Sequence, residues 1–170
     1  MTIFTVGYEG CDIDYFVSAL KKNKIACIID IRKNPVSRKK GFSKNKLREA
    51  LAKEDINYVH FGDLGVPQAW RKAEKAHEIT RRKMFSDYVK KIIPIHEDVV
   101  EEVIKVARKE KRAALLCYEA DASDCHRRYL CEEIKKHTKV TIKDLEIAQS
   151  GLLSGVKPLT LRNTRKAPLA

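Results

Sequence analysis

The densest chemistry in the chain falls between positions 117 and 127, where Cys117, Glu119, Cys125, His126 and Arg127 follow the apolar run Ala113 to Leu116. A carboxyl group just past a buried strand is partly desolvated, which raises its pKa toward general acid/base work. Glu119 holds that place, either as a catalyst or as the anchor of Arg127 or Arg32, and the two roles are compatible. Leu130, Cys131 and Ile134 define the buried face of the helix that follows. At about 100° per residue, Arg127 points along that face, His126 borders it and Arg128 points away. His126 is therefore a further catalytic candidate. An inward arginine is a costly buried charge unless it meets a carboxylate, here Glu119 or Asp30, or an anionic ligand.

Two other chemistries are weighed at the same residues. Cys117, Cys125 and His126 invite a zinc reading, but structural sites draw four ligands from closely spaced pairs, and no second pair is present; no metal and no cofactor are expected. Cys125 at a helix start has the setting of a lowered thiol pKa, which keeps a thiol nucleophile open as the least favoured reading. The phosphatase-like Cys-x5-Arg loop is absent, because Ser123 stands six residues after Cys117.

A second polar stretch runs Asp30-Ile31-Arg32-Lys33-Asn34-Pro35-Val36-Ser37-Arg38. Arginine forks match phosphate bidentately, so Arg32 and Arg38, with Ser37 as an added donor, are candidate substrate-binding residues. The competing reading is a solvated basic loop. Asp30 is a candidate assistant to Glu119. Tyr8, in Gly7-Tyr8-Glu9-Gly10, either stacks on a base or covers the strand edge. That segment is not G-x-G-x-x-G and no Walker lysine motif occurs, which disfavours dinucleotide and P-loop sites. Trp70 reads as packed, and His60 and His77 as neutral bystanders.

These residues need a scaffold. Ile3 to Val6 reads as a strand. Asp12 is a good N-cap, followed by Ile13, Phe16, Val17 and Leu20 on one helical face. Ile25 to Ile31 is nearly continuous and β-branched, the pattern of a strand buried on both faces. Ser43 is placed to cap a helix carrying Leu47 and Leu51. Ile56 to Phe61 is a third strand, Ala69 to Ile92 a highly charged helical stretch in two segments ended by Pro94, and Val99 to Ala107 another amphipathic helix. A strand at Ala113 to Cys117, a helix from about Cys125 to His137 and a last strand at Val140 to Ile142 complete the pattern. The expected class is α/β: three layers, a mainly parallel sheet of about five strands, helices on both faces. Ligands of such sheets bind at the carboxyl ends of the strands, where Tyr8, Asp30, Arg32, Asp63 and Glu119 all fall.

The chain has 170 residues and a formal net charge of +12. That length predicts one domain over 1–149, with residues 150–170 as a basic tail, mobile or docked on a partner. A charge of this size favours polyanionic partners. It is clustered: eight basic residues and no acid lie between Arg32 and Arg48, and Lys157, Arg162, Arg165 and Lys166 mark the tail. No apolar run approaches a membrane span, and the first residues lack the pattern of a signal peptide. Five cysteines without regular spacing read as free thiols of a reducing compartment, so a cytoplasmic setting is expected.

An ordered set of motifs carries a resemblance: Gly7-Tyr8-Glu9-Gly10, Asp30-x-Arg32 with Pro35-x-Ser37-Arg38, Gly41-Phe42-Ser43, Tyr58-x-His60, Leu64-Gly65, Leu-Leu-Cys117-x-Glu119 and Cys125-His126-Arg127. Over about Ile3 to Ile134 the chain resembles the "domain of unknown function 488" family. It departs from the family pattern at Ile31, where a valine is expected, and at Val66, where a second glycine is more usual; neither removes a polar site residue. The resemblance implies a small cytosolic α/β protein with a polar site built from those motifs. Together the residues point to an enzyme of hydrolytic or glycosidic-bond-cleaving type, acting on nucleic acid or a nucleotide-like phosphate-bearing substrate. Glu119, Asp30 and His126 would be the catalytic group; Tyr8, Arg32, Ser37, Arg38 and Arg127 would bind substrate. The alternative is a non-catalytic nucleic-acid-binding module using the basic surface.

Overall fold

A computed structural model describes residues 1–147 and the backbone of 161–162. The elements run β1 (Thr2–Gly7), α1 (Ile13–Lys22), β2 (Cys27–Asp30), α2 (Lys44–Ala52), β3 (Asn57–His60), α3 (Gln68–Lys75), α4 (Arg81–Asp87), α5 (Glu97–Glu110), β4 (Ala113–Cys117), α6 (His126–His137), β5 (Thr141–Leu145) and β6 (Leu161–Arg162). One sheet holds all the strands in the order β3-β2-β4-β1-β5-β6. The first five are parallel, and β6 pairs antiparallel with β5 through Leu145–Leu161 and Asp144–Arg162. The rest of the expected tail, 150–160 and 163–170, lies outside the described residues, as do 148 and 149 of the expected domain.

The layers follow from the alternation of side chains along each strand. Phe4, Val6, Ile28, Ala114 and Leu116 face α1 and α2 through Phe16, Leu20, Leu47 and Leu51. Ile3, Ile29, Ala113 and Leu115 face α5 and α6 through Val100, Val103, Leu130 and Ile134. A smaller cluster of Val66, Met84, Phe85, Tyr88 and Ile93 gathers α4 and the irregular turn after it. The charged stretch before Pro94 is two helices, and Asp12 caps α1 by accepting from the Tyr15 N–H at 2.8 Å. Ser43 departs from expectation. It precedes α2 but makes no side-chain cap; its hydroxyl instead accepts from Ser37 N–H at 3.0 Å and donates to the Ser37 carbonyl at 3.2 Å, closing the basic loop.

Strand register brings Gly7 level with Cys117, and Asp30 level with both Leu116 and His60. The carboxyl ends of four strands therefore share one edge. The chain leaves β1 and β2 toward the α1–α2 layer, while β4, between them, leaves toward α6. Such a switch in direction is where open α/β sheets gather their ligand groups. Gly7 permits the crossing, since a Cβ there would lie 1.7 Å from the Glu119 carbonyl oxygen. No helix of the described residues is long and apolar enough to cross a membrane.

Candidate functional site at the carboxyl edge of the sheet

Two polar assemblies occupy this edge. The first is centred on Asp30, wholly buried at the end of β2. Its carboxylate accepts from Arg32 Nε at 2.9 Å, Arg32 Nη2 at 2.6 Å and the Tyr58 hydroxyl at 2.6 Å. Arg32 Nη1 donates to the Tyr8 hydroxyl at 2.9 Å and the Phe42 carbonyl at 2.8 Å. The desolvation that would strip Arg32 of its proton is outweighed by Asp30, and burial beside Asp30 pushes the Tyr58 phenol up. His60 is no bystander: its Nε2 bonds the Arg32 carbonyl at 2.8 Å.

Tyr8 is part of the same packing. Its ring stacks on Phe42 with centroids 4.3 Å apart and 9° between planes, and meets Tyr118 edge-on at 5.3 Å. The aromatic ring exposed at this edge is Tyr118, 45 % accessible; nothing in its spacing marked it. Ser37 sits in the turn, its hydroxyl 3.5 Å from that of Tyr8 and accepting from Lys39 N–H at 3.1 Å. Arg38 is exposed on the basic loop.

The second assembly sits past β4. Glu119 Oε2 lies 3.1 Å from Cys117 Sγ, and Oε1 lies 3.6 Å from Arg81 Nη2. His126 Nδ1 lies 3.6 Å from Cys117 Sγ and 3.8 Å from Cys125 Sγ, while Nε2 bonds the Ile31 carbonyl at 3.2 Å. The ring of Tyr88 covers His126 edge-on at 5.3 Å. Burial, then the charge of Cys125, pushes the Glu119 carboxyl up. Burial would raise the Cys125 thiol as well. The hydrogen bond from Cys117, with His126 and Arg127 alongside, outweighs it and holds Cys125 well below the usual thiol range. Cys117, donating to Cys125 and buried, is raised; burial pulls the His126 imidazole down, but Cys125 and Glu119 outweigh it and the net shift is upward.

The family comparison bears on these same residues. The model of the family described as Domain of unknown function DUF488 matches residues 12–134. The chain belongs to the DUF488 family. No curated protein and no solved structure matches. The DUF488 match takes in both assemblies except Tyr8, because the Gly7-Tyr8-Glu9-Gly10 motif precedes it. It also takes in Arg81, which sequence reasoning missed. From the start of α4, Arg81 reaches Asp124 Oδ1 at 2.6 Å, the Asp124 carbonyl at 2.8 Å and Glu74 at 3.4 Å as well as Glu119. No local pattern couples position 81 to position 119; the packing of α4 against the loop after β4 does.

Arg127 is buried, 1 % exposed, as its helical phase predicts. Its partners correct the expected carboxylate. Nη1 donates to the Glu119 carbonyl at 2.6 Å, Nη2 to the Ala120 carbonyl at 3.0 Å and Nε to the Thr5 hydroxyl at 3.2 Å, and Thr5 in turn donates to Asp144. Carbonyl oxygens at the end of a crossing loop offer a guanidinium the same acceptors as a carboxylate, and Asp30 is already taken by Arg32. Arg127 thus fixes the backbone that carries Glu119.

Proposed function

We propose that this DUF488 protein is an enzyme working at the carboxyl edge of its sheet on a phosphate-bearing substrate of the nucleic-acid or nucleotide class. Glu119 is its acid–base group. The observation that carries the reading is the placement of that carboxylate. Its side chain is 27 % exposed, held between Arg81 and Cys117, and one aromatic contact, Tyr118 to Tyr8, away from the basic loop. A carboxylate fixed by neighbours yet open to solvent can exchange a proton with a bound substrate. Asp30 has no such opening, so the hydrolytic step falls to Glu119, with His126 behind it. Exposed Arg38, Lys40, Lys44 and Lys46 supply the attraction for phosphate, and Tyr118 offers a ring face to a base. Five free cysteines favour a reducing, cytoplasmic setting.

The test is binding and turnover of labelled RNA and DNA oligonucleotides. Binding should fall steeply with salt, and Glu119→Gln should abolish cleavage while leaving affinity within about twofold, since the phosphate contacts that dominate affinity are untouched. Binding without cleavage by either protein would support a binding module in its place. No binding at low salt would overturn the substrate class.

A further inference from the structure

Cys117, Cys125 and His126 stand apart in chemistry from everything around them. All three are buried, and their ligand atoms lie within 4.8 Å of one another. The eight-residue separation of the two cysteines argues against a metal by spacing alone, since ligand pairs are usually two to four residues apart. The fold removes that objection. β4 delivers Cys117 at its last residue, the loop turns back, and Cys125 and His126 arrive at the first turn of α6.

The geometry suits a tetrahedral ion. Zinc–sulfur and zinc–nitrogen bonds of ordinary length place sulfur and nitrogen about 3.6 Å apart across a tetrahedral edge. His126 Nδ1 lies 3.6 Å from one sulfur and 3.8 Å from the other. The opposite ring nitrogen is engaged by a backbone carbonyl, Nε2 to Ile31 at 3.2 Å. In a metal-ligating histidine that outer hydrogen bond selects the tautomer and turns the other nitrogen's lone pair toward the ion. The Tyr88 ring packs edge-on against the same imidazole, its centroid 5.3 Å away.

From this arrangement we propose that Cys117, Cys125 and His126 form a binding site for a thiolate-preferring divalent ion, zinc in a cell. Binding takes both cysteines as thiolates and His126 as the neutral imidazole, with the protons they carry passing to solvent, and the two thiolates neutralise the dication. Soft sulfur with imidazole selects zinc over magnesium or calcium, which take oxygen. Glu119 lies beside the three ligands, its Oε2 3.1 Å from Cys117 Sγ. Three protein ligands with one open position is the arrangement of catalytic rather than structural zinc. The site stands without the substrate reading above, because it is read by metal content and not by turnover.

The experiment uses the full chain, expressed with zinc supplementation and purified under reducing conditions. Elemental analysis should find one zinc per chain. Cobalt titration of chelator-stripped protein should give a thiolate-to-cobalt charge-transfer band and intense tetrahedral visible bands. Cys117→Ala, Cys125→Ala and His126→Ala should each lower affinity by more than about 100-fold, beyond what loss of an outer hydrogen bond does. Cys27→Ala, a buried thiol elsewhere, should leave it unchanged. Should the cluster variants fail to fold, the wild-type cobalt spectrum decides alone. Zinc at background with no charge-transfer band overturns the proposal, as does a chelator-insensitive loss of two titratable thiols, which would mean a Cys117–Cys125 disulfide.

Discussion

The two polar assemblies at the sheet edge are built from similar materials and end in opposite states. Around Asp30 the groups are saturated: carboxylate, guanidinium and two phenols bond one another, and Asp30 and Arg32 are 0 % and 5 % exposed. Around Cys117 the groups are also close but differently spent. The Glu119 side chain remains 27 % exposed, with its nearest cation at 3.6 Å, and the imidazole sits against the two sulfurs at 3.6 and 3.8 Å. The contrast teaches that a conspicuous buried arginine is weak evidence for a ligand once its donors are counted. A half-open carboxylate beside soft ligands is stronger evidence, because folding alone does not require it.

That comparison is broken or sharpened by substitution. The largest effect is expected at Arg32→Ala, which leaves the buried Asp30 carboxylate without its cation, held only by the Tyr58 hydroxyl and a backbone N–H; loss of one member of a buried pair costs about 3–5 kcal/mol, read by denaturant unfolding. A loss below about 1 kcal/mol, the range of an exposed pair, would mean that Asp30 finds solvent, and that the two assemblies are alike. Arg127→Ala should come next, at about 2–3 kcal/mol, the range of hydrogen bonds made by charged groups. It should also loosen the Glu119 loop, seen as faster amide exchange at Glu119 and Ala120.

Glu119→Gln should alter stability by less than about 1 kcal/mol, as for a partly solvated ion pair, while removing turnover. A loss as large as that at Arg32 would make Glu119 a structural partner and erase the contrast. The smallest stability change belongs to the double variant Arg38→Ala, Lys40→Ala, within about 0.5 kcal/mol for exposed positions. Its signature is in binding: each lost phosphate contact lowers the slope of log affinity against log salt by about 0.9 on duplex DNA. An unchanged slope would place the phosphate-binding surface elsewhere.

Much of this architecture could be read in advance. The alternation of short β-branched runs with amphipathic stretches predicts the parallel sheet and its two helical layers, and the phase of α6 predicts that Arg127 turns inward. The site was legible only as a set of residues. Asp30, Arg32, Tyr8 and Glu119 do share one edge, but Arg127 meets carbonyls where a carboxylate was expected. Arg81 and Tyr118 were missed because Arg81 lies in no motif and Tyr118 fills the unspecified position between Cys117 and Glu119; each matters through contact with residues distant in the chain.

The sequence by itself determined which segments bury and which carry charge, because burial along a helix or strand is periodic and periodicity is a local property. Only the tertiary structure decided pairing. Asp30 could satisfy one guanidinium and the fold brought it Arg32, two residues on, leaving Arg127 to the loop oxygens. Cys117 and Cys125 look unrelated at a separation of eight, yet the turn from β4 into α6 sets both sulfurs against His126. Hydrogen bonds and coordination depend on direction at the scale of a single ångström, and direction at a strand end is set by the elements packed around it.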